Sequence, residues 1–168
     1  MLSTMTTSKS LDFSIDVGRM NQVGILDPRS PAAIASLSQN QFSSQERLFF
    51  SLWASRLLND GVFKIGEMLT HKGDNVVNAH IIISGELEAD NGSKRFTLGP
   101  GSVLGLAEGL AHQPYSMTVM AKTVVTTRIL RLDKIDREIP KMNAGIRGIC
   151  RGAVMRTLGL NDVPEAMK

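Results

Sequence analysis

The sequence predicts a mainly β domain with flanking helices, of the jelly-roll or double-stranded β-helix type. Three observations carry this expectation. Between Val62 and Leu132 the chain breaks into short β-branched and apolar segments punctuated by glycine, a spacing that fits a small jelly roll. Inside that stretch Asp90-Asn-Gly-Ser93 separates Glu86–Ala89 from Lys94–Leu98, which is a hairpin signal. On either side the apolar spacing turns helical, at Leu48, Phe49, Leu52, Trp53, Leu57 and Leu58, and again at Met142, Ile146, Ile149 and Ala153.

Taken in order, residues 1–40 read as an N-terminal extension rich in Ser, Thr and Met. Leu11, Phe13, Ile15 and Val17 alternate with polar residues, as a short strand or docking segment would. Ser30-Pro31 is a helix start, a cap residue followed by proline at the first helical position, and predicts a short helix over Pro31–Leu37. Ser43-x-x-Glu46 resembles a capping box and opens a helix over 41–61 that packs on the barrel and ends at Asn59-Asp-Gly61. The β region occupies 62–132, closed by Thr123–Leu132, with a short helix at Gly105–Gln113 between strands. Residues 133–168 hold two helices, Asp133–Ile139 and Lys141–Leu158, divided near Pro140. On the last helix Gly145, Gly148 and Gly152 form a strip, which lowers helix propensity by roughly 1 kcal/mol per glycine and points to close approach of another helix.

Composition narrows the function. The chain has 168 residues, 42% hydrophobic, enough for one packed domain with extensions. No apolar run reaches the roughly 18 residues of a membrane helix, and no secretory leader is visible, so a cytoplasmic protein with no membrane partner is expected. The lone Cys150 has no second cysteine to pair with and reads as a buried helix residue. Net charge is +3. Arg128, Arg131, Lys134, Arg137, Lys141, Arg147, Arg151 and Arg156 gather in the last third, read as a solvated face rather than a DNA surface. His71, His80 and His112 lack metal-ligand spacing and read as solvent or turn histidines. No catalytic constellation or resident cofactor is expected, so the chain is not read as an enzyme.

The segment Leu104-Gly-Leu-Ala-Glu-Gly-Leu-Ala-His-Gln-Pro-Tyr-Ser-Met-Thr-Val-Met-Ala121 resembles, without a gap, the phosphate-binding cassette of cyclic-nucleotide-binding domains of the catabolite activator protein type. That cassette runs roughly Phe-Gly-Glu, an apolar turn, then Pro-Arg-Ser/Ala-Ala-Thr-Val and a small residue. Gly105, Leu110, Pro114, Ser116, Thr118, Val119 and Ala121 fall on the pattern. Val62–Asp74, Ala79–Gly85 and Leu98–Gly101 resemble the family's other turns and strands, in the family's order. The family's glutamate and arginine positions hold Leu106 and Tyr115.

The resemblance implies a candidate ligand site at Gly105, Leu106, Ala107, Tyr115, Ser116 and Thr118 with its usual grip removed. Tyr115 brings one neutral donor and Leu106 accepts nothing. Two charge-assisted bonds at roughly 1.5–3 kcal/mol each are lost, about 10²–10⁴-fold in affinity. Glu108 is expected to lie exposed on the cassette helix. Restoring glutamate at 106 and arginine at 115 is expected to restore cyclic-nucleotide binding, with Leu106 packed against Met117 or Met120 as the opposing risk.

Three readings follow. The first is a regulatory or protein-interaction module with a degenerate pocket, making a homodimer or partner contact through its C-terminal helix, with no direct DNA binding. The second is a sensor of a cyclic nucleotide or another small anion at the altered cassette. The third is a truncated transcription-factor relative acting through a partner's DNA-binding domain.

Overall fold

A computed structural model of the chain describes Gly18, residues 31–39 and residues 58–168. The expected strand near Leu11–Val17, the Ser30 cap and most of the 41–61 helix with its Trp53 stripe lie outside the described residues. Helix α1 spans Pro31–Ser38, one residue beyond the expected end.

Among the described residues eight strands form two four-stranded antiparallel sheets, and helices flank them. The strands are β1 (Leu58–Phe63), β2 (Met68–Thr70), β3 (Asn78–Ser84), β4 (Leu87–Asp90), β5 (Arg95–Leu98), β6 (Val103–Leu104), β7 (Thr118–Ala121) and β8 (Val125–Arg131). One sheet runs β1-β8-β3-β6 and the other β2-β7-β4-β5. The expected β jelly roll with flanking helices is therefore the fold. The hairpin falls where its turn residues place it. Asp90 pairs with Arg95. Between them Asp90 Oδ1 accepts from Gly92 N at 2.8 Å and Asn91 Oδ1 from Lys94 N at 2.8 Å, which is Asx-turn chemistry.

One boundary differs from expectation. Asn59-Asp-Gly61, read as a helix stop, lies inside β1. Tertiary pairing overrides the turn signal there. Gly61 sits opposite Thr127, and a Cβ on it would lie 2.6 Å from Ile129 Cδ1, so only glycine lets β8 pack so closely. Asp60 meets Arg128 across the same ladder at 2.6 Å.

Strand alternation builds two cores from one sheet. Ile82, Leu104 and Val125 face inward and pack with Leu87, Ala89, Leu98, Val119 and Ala121 of the second sheet. Ala79, Ile81, Val103 and Leu130 face outward and receive the helices. These are α2 (Leu106–Leu110), α3 (Leu132–Glu138) and α4 (Ala144–Leu158), with a 3₁₀ turn at Ile139–Lys141. The helical stripe of α4 is buried through Ile146, Cys150, Ala153 and Val154. Asn143 caps that helix by accepting from Ile146 N at 2.9 Å, and Gly159 ends it in the left-handed conformation. Cassette helix α2 packs directly on α4. Among the described residues no helix is long and apolar enough to cross a membrane.

Burial decides the single cysteine, as the sequence indicated. Cys150 sits in the helical core, and its thiol is pushed up to about 12 by desolvation, so it has no thiolate character near neutral pH. Four of those eight basic residues in the last third meet local acids. Arg128 pairs with Asp60, Arg131 and Arg137 share Asp133, and Lys141 meets Glu138. Of the glycine strip only Gly148 is open among the described residues, with nothing within 4 Å of an added Cβ; at Gly145 a Cβ would lie 3.3 Å from Asn143 Oδ1 and at Gly152 3.2 Å from Arg156 Nη1.

His80 corrects the histidine expectation. It is 4% exposed on β3, on the inner face with Ile82, and its ring meets Phe63 edge-on at a centroid distance of 5.6 Å. Among the described residues Nδ1 has no hydrogen-bond partner, and neither has the Thr127 hydroxyl on the same inner face. Burial lowers the His80 pKa to about 4. His71 and His112 are exposed, as expected, and His112 Nε2 lies 3.1 Å from Asp136 Oδ2.

Candidate functional site

The cassette begins where β6 ends. Gly105 takes φ 80°, a left-handed conformation, and serves as the N-cap of α2. It is glycine for a second reason. A Cβ there would lie 2.7 Å from Tyr115 Cε1 and 3.2 Å from the Asn78 carbonyl oxygen. Tyr115 thus lies directly over the cassette's opening turn. Its hydroxyl donates to Asn78 O at 2.6 Å. Its backbone is fixed too: Tyr115 N donates to Asp74 O, and Gly73 N donates to Tyr115 O, each at 2.9 Å. Burial pushes the phenol above its usual range, so it stays protonated and donating.

Leu106 and Ala107 are buried at 1% and 2%. Both belong to the helical core, with Ile135, Ile146 and Ala153, rather than to the inter-sheet core against which Met117 packs. The expected contact of Leu106 with Met117 or Met120 is therefore replaced by contact with the outer helical layer. The single turns of a five-residue helix explain this. Leu106, Ala107 and Leu110 point to α4, and Glu108 is left to point elsewhere.

Where Glu108 points is the main departure from expectation. It is 6% exposed, not solvated. One carboxylate oxygen accepts from Ser116 Oγ at 2.7 Å and from Ser116 N at 3.2 Å. No lysine or arginine pairs with it among the described residues. A buried carboxylate needs donors that replace its lost hydration, and Ser116 supplies two. Thr118 is occupied differently: its Oγ1 accepts from Lys72 N at 3.0 Å.

The site residues named from sequence thus fall into four groups, Thr118 with Lys72 N being one. Gly105 and Tyr115 touch each other. Ser116 meets Glu108, which was not among them. Leu106 and Ala107 leave the site for the core. A signal for Glu108 was present in the sequence. It is the only charge between Val103 and Ala111, a run that is otherwise apolar or glycine and is buried throughout. A charge in such a run must find partners or stop the run from burying.

Antiparallel jelly roll, left-handed glycine and short helix between β6 and β7 together define a class of domain. Residues 61–140 match the family model "Cyclic nucleotide-binding domain". That match spans just under half of the chain, over the β region and the first helix after it. A solved structure from "A cyclic-GMP-dependent signalling pathway regulates bacterial phytopathogenesis" is similar at a TM-score of 0.53 and 20% identity, covering 64% of this chain and 90% of that one. "Sp-2Cl-cAMPS bound to PKAR CBD2" is similar at a TM-score of 0.50 and 17% identity, covering 91% and 92%. At these identities the likeness is one of fold. No curated protein matches the chain.

Proposed function

We propose that the chain is a cytoplasmic regulatory or protein-interaction module that does not take cAMP or cGMP in the usual way. The observation that carries this reading is the Glu108 carboxylate on both donors of Ser116. In the family's pattern this end of the cassette faces an anion. Here the chain supplies that anion itself. Tyr115 adds to the closure by giving its hydroxyl to Asn78 and covering Gly105. A ligand phosphate brought within about 5 Å of the carboxylate would be opposed by roughly 3 kcal/mol at an effective dielectric near 20.

The same module offers a surface for a protein. The strip of Gly145 and Gly148 on α4 is exposed, and the open space beside Gly148 suits close approach of a second copy or another chain's helix. DNA contact is not part of this reading. Because α2 packs on α4, a change at the cassette and a change at this surface would be mechanically linked.

The alternative, a sensor of some other small anion at the cassette, requires that anion to displace Glu108. Isothermal titration of the purified chain with cAMP and cGMP tests the reading. Affinity weaker than about 100 μM is expected for both. Low-micromolar binding of either would overturn it.

A further inference from the structure

A second site lies away from the cassette. A cavity of about 320 Å³ opens where α2, α3, the 3₁₀ turn, α4 and the end of the described chain converge. That volume is at the small end of what ligand sites enclose. Its apolar side is Leu110, Ile139 and Met167. Its polar side is Arg147 and Arg151, four residues apart on α4 and so on one face of the helix, together with Asp136 and with Lys168, whose ammonium pairs with Glu165 at 2.6 Å.

The two guanidinium charges on this wall have no ion-pair partner among the described residues. Arg151 has no hydrogen bond or ion pair among the described residues. Arg147 donates only to the Pro140 carbonyl, at 3.4 Å. Asp136, also in the wall, is engaged by His112 at 3.1 Å. Both guanidiniums are partly buried, with donors free beside an apolar wall. Elsewhere in the last third, Arg128, Arg131 and Arg137 all have acids. Lys134 and Arg156 also lack an acid among the described residues, but of these four cations only Arg147 and Arg151 line the cavity.

We propose that this cavity binds a small amphipathic anion. Its carboxylate or phosphate head would lie on Arg151 and Arg147, and its short apolar body against Leu110, Ile139 and Met167. Guanidinium forks suit either head group. The cavity is too small for a folded segment of a partner and large enough for a chain of six to eight carbons. Leu110 is the last residue of α2, so an occupant would bridge the cassette helix and α4. The site is independent of whether Glu108 closes the cassette.

The test is an amide NMR titration of the full chain with octanoate and with hexyl phosphate, each to about 5 mM, with 1-hexanol as the uncharged control. Saturable shifts are expected at Leu110, Ile139, Arg147 and Arg151 with one or both anions, and none at Ser116. Replacing both arginines, Arg147→Gln with Arg151→Gln, should weaken binding at least about tenfold. Arg151→Gln alone, a milder change on a partly exposed helix face, should weaken it measurably if the double variant folds poorly. The absence of a saturable shift with both anions would overturn the proposal. So would unchanged affinity in the variants, or equal binding of 1-hexanol.

Discussion

Tyr115→Arg combined with Glu108→Ala should create cyclic-nucleotide binding at least about 10²-fold tighter than that of the unaltered chain. Two effects add. The guanidinium supplies one charge-assisted bond to a phosphate, roughly 1.5–3 kcal/mol. Removing Glu108 frees Ser116 N and Oγ, which it now occupies, and removes a like charge from beside the ligand. Tyr115→Arg alone should gain far less. The new guanidinium would lie beside Glu108 and pair with it, leaving the anion site neutral and still filled. Leu106 is left unchanged, because it is 1% exposed in the helical core and a glutamate there would be buried without a donor. This corrects the simpler repair that the sequence suggested. Calorimetry with cAMP and cGMP on the single and double variants checks the result. Equal binding by Tyr115→Arg with and without Glu108 would show that the carboxylate does not guard the site.

Acid should weaken the fold through His80. In the folded chain its pKa is lowered to about 4, against an unfolded value of 6.5. Between these values the unfolded chain binds the proton and the folded chain does not. Stability is therefore fully present above pH 6.5 and is lost as pH falls toward 4. The loss from this group is about 3 kcal/mol by pH 4, from 1.36 kcal/mol per unit. That is a large part of the 5–15 kcal/mol that ordinarily holds a domain. Urea unfolding at neutral pH and near pH 4, on the native chain and on His80→Leu, isolates it. Carboxylates contribute equally to both, so the difference in pH dependence belongs to His80. The same pH dependence in both proteins would show that His80 is not held neutral.

Much of the fold was legible because its signals are local. The hairpin at Asp90–Lys94 is written in its own turn residues. The two faces of β3 are written in an apolar stretch at 79–83 that the pleat divides between two cores. The α4 stripe is written at helical spacing. What was misread depended on partners distant in sequence. Asn59-Asp-Gly61 has the chemistry of a helix stop, yet the side chains of β8 make Gly61 a strand residue. His80 looked like an ordinary polar position, yet it is buried, with the Phe63 ring from β1 against it.

The candidate site was legible as a cassette, while the contact between Glu108 and Ser116 was not. Spacing singled out Gly105, Tyr115 and Ser116, and Leu106 and Tyr115 bring neither the carboxylate nor the guanidinium of the family's pattern. Spacing could not show that Glu108, two residues from the family's glutamate position, turns inward. That direction is fixed by Leu106, Ala107 and Leu110, which commit the remaining face of α2 to α4. Once they pack, the Glu108 side chain has Ser116 within reach.

The most direct test is a crystal structure of the unaltered chain grown with about 10 mM cAMP, a concentration far above that needed to fill a micromolar site. The Glu108 carboxylate is expected to remain on Ser116 N and Oγ, with no nucleotide in the cassette. A cyclic phosphate bound to Ser116, with Glu108 turned out to solvent, would contradict the account.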